Sequence, residues 1–313
     1  EVINKTDILF HNYNETVLKE LSARAALEAS GLLLESSLSR YESGIISKAS
    51  YLQARADSAA KETELLAAES YRKTAEKELA SFLHLDRLPP LAPVEADIFG
   101  KYVGAVTKAQ STAGVSIPEK LLEESLKNGV SLKTAAAALK SAELDKLLKI
   151  KGYNPVFSVS AGNTYISVNE SEFSSSKSIT FSGTVSVSMW DIGNTVKSAD
   201  TEIESARLSL GETEREYLLK TETAWSDLIS SAHEAKASEL AYEFAREYYS
   251  EIHERYMLSA ESISSLKDAE ADMIKAETNW ITARFTFLKN LSSMVYITGT
   301  GNEAALLEIM AGI

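Results

Sequence analysis

Arg40-Tyr41-Glu42-Ser43-Gly44-Ile45-Ile46-Ser47, running on to Gln53-Ala54-Arg55-Ala56-Asp57, returns 215 residues later as Arg255-Tyr256-Met257-Leu258-Ser259-Ala260-Glu261-Ser262, running on to Asp268-Ala269-Glu270-Ala271-Asp272. With no gap, the offset also sets Ala26 on Ala241, Glu28 on Glu243, Ser50 on Ser265, Glu62 on Glu277 and Thr63 on Thr278. A fixed period of matches implies internal duplication. Each copy is a long polar-apolar helical pattern, a short break at Gly44 or Ser259, and a second helical pattern. The unit that was duplicated is a helical hairpin.

Outward from these turns, 2–43 and 48–82 read as helical arms, with Leu27, Leu34 and Leu38 on the seam of the first. Ala269, Ala276 and Ala283 stand at heptad spacing in the last arm, where small side chains let helices approach closely. The prolines, at 89, 90, 93, 118 and 155, mark boundaries and leave the arms intact. Asn194 to Leu258 has no proline and the single glycine Gly211. A helix of that length spans roughly 95 Å at about 1.5 Å per residue. That is deeper than one globular core, so a rod or coiled coil is expected.

Residues 154–190 break the helical pattern. Ile179, Phe181, Gly183, Val185, Val187 and Met189 alternate with Thr180, Ser182, Thr184, Ser186 and Ser188, the period of a strand with one apolar face. Pro155 to Val168 alternates less cleanly, and Asn169 to Lys177 reads as a polar loop. The pair makes a hairpin of strands about 12 residues long, enough to cross a membrane, with Trp190 as an interfacial aromatic. A soluble hairpin with one face on a core has the same pattern. The neighbouring rod helix favours the membrane, because no soluble domain stands beside the apolar face.

Composition excludes several classes. A net charge of −13 without a clustered basic face argues against nucleic acid as a partner. Cysteine is absent, which removes disulfides, thiol nucleophiles and thiolate metal sites, and fits export to an oxidising compartment. His11, His84, His233 and His253 have no metal-ligand spacing, so no metal or other cofactor is expected. No Gly-x-Ser-x-Gly elbow or phosphate loop occurs, and the carboxylates are spread as helix-face charges. The chain reads as no enzyme.

The sequence resembles the TolC-like outer-membrane efflux and secretion channels. Met189-Trp190-Asp191-Ile192-Gly193 is similar to that family's Leu-Phe-Asp-Gly-Gly element between the last barrel strand and the tunnel helix. The two Tyr-x-x-Gly-like turns resemble its periplasmic hairpin tips, and Asn154-Pro155 its approach to the barrel strands. The resemblance implies a mainly α fold with a β-hairpin, in which long antiparallel helical hairpins form an α-helical barrel continuous with a transmembrane β-barrel in a homotrimer. Along the chain it implies a first tunnel hairpin (1–86), an equatorial connector (87–118), a helix leading to the barrel (119–153), a strand pair (154–190), a second tunnel hairpin (191–296) and a C-terminal equatorial segment (297–313). The first residues read as a tunnel helix already under way. The family's first strand pair and the helix before it are therefore expected to lie outside this chain.

By the same resemblance the chain is an export duct in the outer membrane of a diderm bacterium, reaching into the periplasm. It would serve efflux or type I secretion, joined to an inner-membrane transporter through a periplasmic adaptor. Asp268 matches an acidic aperture position and Tyr256 a tyrosine of the closing network, while Ser265 and Glu261 stand where relatives can carry Asp and Arg. With Asp272 they form the expected aperture set; solvated carboxylates at a helix start read equally well. Gly44, Ile45, Leu258, Ser259 and Ala260 are the expected adaptor-docking tips, with Ser259 where the family commonly has glycine. Ile179, Phe181, Val185, Val187 and Trp190 are expected to face outer-membrane lipid. A coiled-coil scaffold with a soluble β-hairpin is the competing reading, and it requires those side chains to pack on protein.

Overall fold

The computed structural model describes residues 2–89, 96–114, 116–151, 156–169, 172–184, 189–258 and 260–311. The elements run α1 (Val2–Glu42), α2 (Lys48–Phe82), α3 (Ala96–Ala113), α4 (Glu119–Asn128), α5 (Val130–Lys151), β1 (Val156–Asn169), β2 (Glu172–Thr184), α6 (Met189–Met257), α7 (Ile263–Thr298) and α8 (Glu303–Ala311). They group into two units, Glu1–Asn128 with Leu218–Ile313, and Gly129–Tyr217.

In the first unit α1 and α2 fold back on each other where the sequence placed two helical arms. Their contact combines an apolar cluster, Leu9, Phe10 and Tyr13 of α1 against Leu79 and Ala80 of α2, with ion pairs. Glu20, buried on α1, takes Arg24 at 2.9 Å and also pairs with Arg72 of α2. The fully buried positions toward the end of α1 are Ala26, Ser30 and Ser37; of the expected leucines, Leu34 packs on the core behind the turns, Leu27 is half-buried and Leu38 is exposed. Small side chains take those buried positions because they let the helices approach closely.

The main core lies at the C-terminal half of α7. Phe285, Phe287, Leu288, Leu291 and Met294 meet Trp225 and Leu228 of α6, Leu121 of α4, and Leu306 and Met310 of α8. The segment expected as the equatorial connector (87–118) contains α3, whose Phe99, Val103 and Val106 enter this core at helical spacing. Phe99 meets Phe287 edge-on at 5.6 Å. Gly100 and Gly104 each cost about 1 kcal/mol of helix propensity. Burying Phe99 and two valines, at about 1.5–3 kcal/mol each, outweighs that.

The helix expected over 119–153 is two helices, α4 and α5, parted at Gly129. The end of α7 is fixed at Gly299, which is left-handed at φ 64°. An added Cβ there would lie 2.7 Å from Cβ of Asn128, whose side-chain amide donates to the Thr298 carbonyl at 3.3 Å. Only glycine fits both the conformation and the space.

The second unit holds α5, the hairpin and the start of α6. Lys146–Asp200 at 2.5 Å and Lys149–Glu202 at 2.9 Å tie α5 to α6. β1 and β2 are antiparallel, with Val159 opposite Phe181, Ala161 opposite Ile179, Phe157 opposite Gly183, and an irregularity between Ser167 and Asn169. Gly183 leaves room for the Phe157 ring, which an added Cβ would meet at 3.1 Å.

Two expectations are corrected here. Glu172 to Lys177 belongs to β2, because backbone pairing with 163–169 extends the ladder through a stretch that carries three consecutive serines. Trp190 is not at a strand end but is the second residue of α6. Val185 and Val187 lie outside the described residues.

Candidate functional site

The duplicated turns are built alike in atomic detail. Ser47 caps α2 by accepting from the Ser50 amide at 3.2 Å, and Ser262 caps α7 by accepting from the Ser265 amide at 3.1 Å. In each pair the hydroxyls also meet, at 3.0 and 2.9 Å. On the other side of the turn the Ile45 amide donates to the Arg40 carbonyl, and the Ala260 amide to the Arg255 carbonyl, both at 2.8 Å. These are the six-residue closures of helices that end in a left-handed residue. Gly44 is that residue in the first turn, at φ 72°, and Ser259 lies outside the described residues. Ser265, expected at an aperture, therefore serves as partner to a helix cap.

The four arms meet just behind the turns. Ala54 of α2, Ile252 and Tyr256 of α6, and Ile263, Leu266 and Ala269 of α7 form a small core, edged by Leu33 and Leu34 of α1. Tyr256 is 3% exposed. The Arg40 guanidinium lies over its ring, and the Arg40 Nη1 donates to its backbone carbonyl. The repeated Arg-Tyr dipeptide thus has two fates. Tyr41 stacks on Tyr51 at 5.6 Å, and Arg255 pairs with Glu251 along its own helix.

A group of charges lies beside this core. Lys267 Nζ is 2.6 Å from Asp57 Oδ2, an off-axis ion contact between α7 and α2. Lys61 pairs with Glu64 at 3.0 Å. Glu270 is buried next to them, and burial, with Asp57 adding to it, pushes its carboxyl above the ordinary range against the pull of Lys61 and Lys267. Burial and the Glu270 charge also raise the Tyr249 phenol.

The expected aperture residues are not brought together as one cluster within the chain. Tyr256 is buried, Glu261 half-buried, and Asp268 and Asp272 are exposed one helical turn apart on α7. No group of acidic and histidine side chains among the described residues could hold a metal. The tips expose their apolar side chains: Ile45 and Leu258 are largely in solvent, as are Gly44 and Ala260. Sequence reasoning missed Arg40, Asp57 and Lys267. The first two stand in the repeated stretch, and their retention in both copies was the available signal.

On the hairpin, Ile179 and Phe181 are 69% and 77% exposed, with Phe157 and Val159 at 79% and 66% on the same face. The opposite face is polar, with the Ser158 and Ser182 hydroxyls 2.7 Å apart. No described helix is long and apolar enough to cross a membrane.

No family model matches the sequence, and no curated protein matches it. Solved structures do. The CmeC outer-membrane channel of Campylobacter jejuni superposes with a TM-score of 0.71 at 13% identity over 99% of this chain and 66% of that one. CusC, solved in a study of folding and transmembrane channel formation, gives 0.76 at 13% identity over 95% and 68%. The open-state MtrE channel of Neisseria gonorrhoeae gives 0.72 at 14% identity over 95% and 66%. The chain spans about two thirds of the length of the channels it matches. By these superpositions over nearly its whole length, this chain has the fold of the TolC-like outer-membrane channels.

Proposed function

We propose that the chain forms an outer-membrane export duct, a passive channel and not an enzyme. Three copies join their β-hairpins into a barrel in outer-membrane lipid and their long helices into an α-helical barrel in the periplasm. Ile179 and Phe181 face lipid, and Val185, Val187 and Trp190 complete that band. A periplasmic adaptor meets Gly44, Ile45, Leu258, Ser259 and Ala260 and couples the duct to an inner-membrane transporter. Tyr256, Glu261, Ser265, Asp268 and Asp272 surround the periplasmic aperture.

The observation that carries this reading is the uncovered apolar face of the hairpin. A lone two-stranded hairpin is marginal in water, and four large apolar side chains in solvent add to its cost. Lipid on the apolar face and a wet lumen on the serine face satisfy both sides, and closing strands into a barrel pairs every edge. A scaffold with a soluble hairpin would cover Ile179 and Phe181 with protein, and in this chain they are exposed. Exposed Leu32, Leu66, Tyr71, Leu219 and Phe244 on the long helices equally call for neighbouring copies.

The test is the native mass of the full-length protein extracted from outer membranes. A complex of three copies that resists extraction without detergent is expected. A species that partitions into buffer and carries no lipid or detergent would overturn the duct and favour the scaffold.

A further inference from the structure

Two carboxylates compete for one buried ammonium where the duplicated hairpins meet. Lys267 of α7 sets its Nζ 2.6 Å from Asp57 Oδ2 of α2, and both atoms are buried in a contact too far off-axis for a hydrogen bond. Glu270 stands one turn further along α7, at i, i+3 spacing from Lys267, and is 5% exposed. The two cations that act on it are engaged elsewhere, Lys61 with Glu64 along α2 and Lys267 with Asp57 across the hairpins.

Four elements surround Glu270. α2 brings Asp57, Lys61 and Glu64, α7 brings Lys267, and α6 brings Tyr249, whose ring meets His253 one turn on. α1 packs Leu33 and Leu34 on the adjoining core and lays Arg40 over the Tyr256 ring. With every group of the α2–α7 cluster ionised, the three carboxylates Asp57, Glu64 and Glu270 outnumber the two ammonium groups by one charge. A proton on Glu270 balances them. Burial favours that proton, with Asp57 and then Glu64 adding to it.

The charge on Glu270 therefore decides how Lys267 is shared. When Glu270 is neutral it makes no claim on the ammonium, and Lys267 ties α7 to Asp57 of α2. When Glu270 is ionised it draws Lys267 back along its own helix, since a buried carboxylate is costly to leave unpaired and an i, i+3 partner is within reach without leaving α7. Asp57 then loses its partner, and the carboxylates of the two helices repel across the contact.

We propose that Lys267 is a proton-controlled latch between the two duplicated hairpins: it holds Asp57 of α2 when Glu270 carries a proton, and pairs with Glu270 within α7 when it does not. The latch closes in acid and loosens as pH rises. The exchange takes place within one copy and stands whether or not copies form a duct. In the duct proposed above it would make the spacing of the arms behind the tips depend on periplasmic pH, a consequence that rests on that reading.

The chain has no cysteine, so spin labels are placed by Ala60→Cys on α2 and Ala271→Cys on α7, both exposed. Labelled full-length protein in detergent is mixed with an excess of unlabelled protein, so that pulsed dipolar EPR reads the distance within one copy, from about pH 5 to about pH 8. One narrow distance is expected in acid, and a longer, broader distribution at the alkaline end. Glu270→Gln keeps the short distance at every pH, and Asp57→Asn gives the long distribution at every pH. These opposite outcomes separate the latch from simple relief of a charge excess, under which Asp57→Asn would tighten the arms as Glu270→Gln does; that result would overturn it. His253→Gln leaves the pH response in place. A wild-type distance that does not change with pH, or a response that survives Glu270→Gln and vanishes in His253→Gln, would also overturn the latch, and the wild-type series needs no variant to fold. The native mass of the same sample reports on the duct separately.

Discussion

Arg40 of α1 lays its guanidinium over the ring of Tyr256 of α6, 4.8 Å from the centroid, and its Nη1 reaches the Tyr256 carbonyl at 3.5 Å. The pair joins the first duplicated hairpin to the second close to both turns. At 3.5 Å the hydrogen bond is weak, so the ring contact carries the attraction. Partly buried, such a contact is worth about 0.5–2 kcal/mol. A double-mutant cycle with Arg40→Met and Tyr256→Leu in urea is expected to return a coupling of that size. The Tyr256 hydroxyl has no partner among the described residues, so Tyr256→Phe keeps the coupling and leaves stability equal or higher. Coupling indistinguishable from zero would remove Arg40 as the clamp.

Glu270 makes the tip region sensitive to pH in one direction. Its carboxyl is raised from an ordinary 4.5, chiefly by burial and then by Asp57. The folded state holds this proton more tightly than the unfolded chain, so the associated stability is full below pH 4.5 and is lost as pH rises through the folded pKa. Glu270→Gln should raise the Tm at pH 7, and the gain should shrink to nothing below pH 4.5. A gain that is the same at both pH values would mean that packing, not ionisation, is responsible.

His11 acts with the opposite slope. Burial, then the nearby Lys289 charge, lowers its imidazole from 6.5 to about 4. The unfolded chain therefore takes up the proton first, and stability falls as pH drops from 6.5 towards 4. A shift of that size corresponds to roughly 3 kcal/mol at most. Urea titrations at pH 7 and pH 4.5 should show the loss in wild type and a flatter profile in His11→Gln; equal slopes would assign the acid loss to other groups.

Much of this architecture was legible because its signals are local. Ser47 and Ser262 each precede a helical arm at the repeat offset, and the alternation through Ile179 and Phe181 needs no distant partner to be read. What was not legible depends on partners far along the chain. Phe99, Val103 and Val106 sit among glycines and between prolines, and they become a helix face only when α7 offers Phe285 and Phe287. Ser174, Ser175 and Ser176 resemble a loop until pairing with 164–166 extends the ladder. Asp57 and Lys267 are far apart in sequence, and only the folding of α7 beside α2 brings them into contact.

The hairpin offers a test of facing. If Phe181 meets lipid and Thr180 the lumen, an arginine at the first position costs about 2–4 kcal/mol near the bilayer midplane, and one at the second costs little. Phe181→Arg should sharply reduce the assembled protein recovered from outer membranes, while Thr180→Arg assembles normally. Equal losses in both would mean that the two faces share one environment.

The proposed aperture role of Asp268 is open to a conduction test. The residue is exposed on α7, one turn before the exposed Asp272 and next to the buried Ala269 and Glu270, so its carboxylate points away from the chain's own core. In a closed ring of copies one such residue becomes several like charges at a constriction, which attract cations and repel one another. Asp268→Ala should lower cation preference in planar bilayers, with the change shrinking as salt rises and screening shortens. Removing the repulsion should also leave the ring at least as stable as before. Conductance and selectivity identical to wild type at low salt would place Asp268 outside the aperture and leave it a solvated carboxylate near the start of its helix.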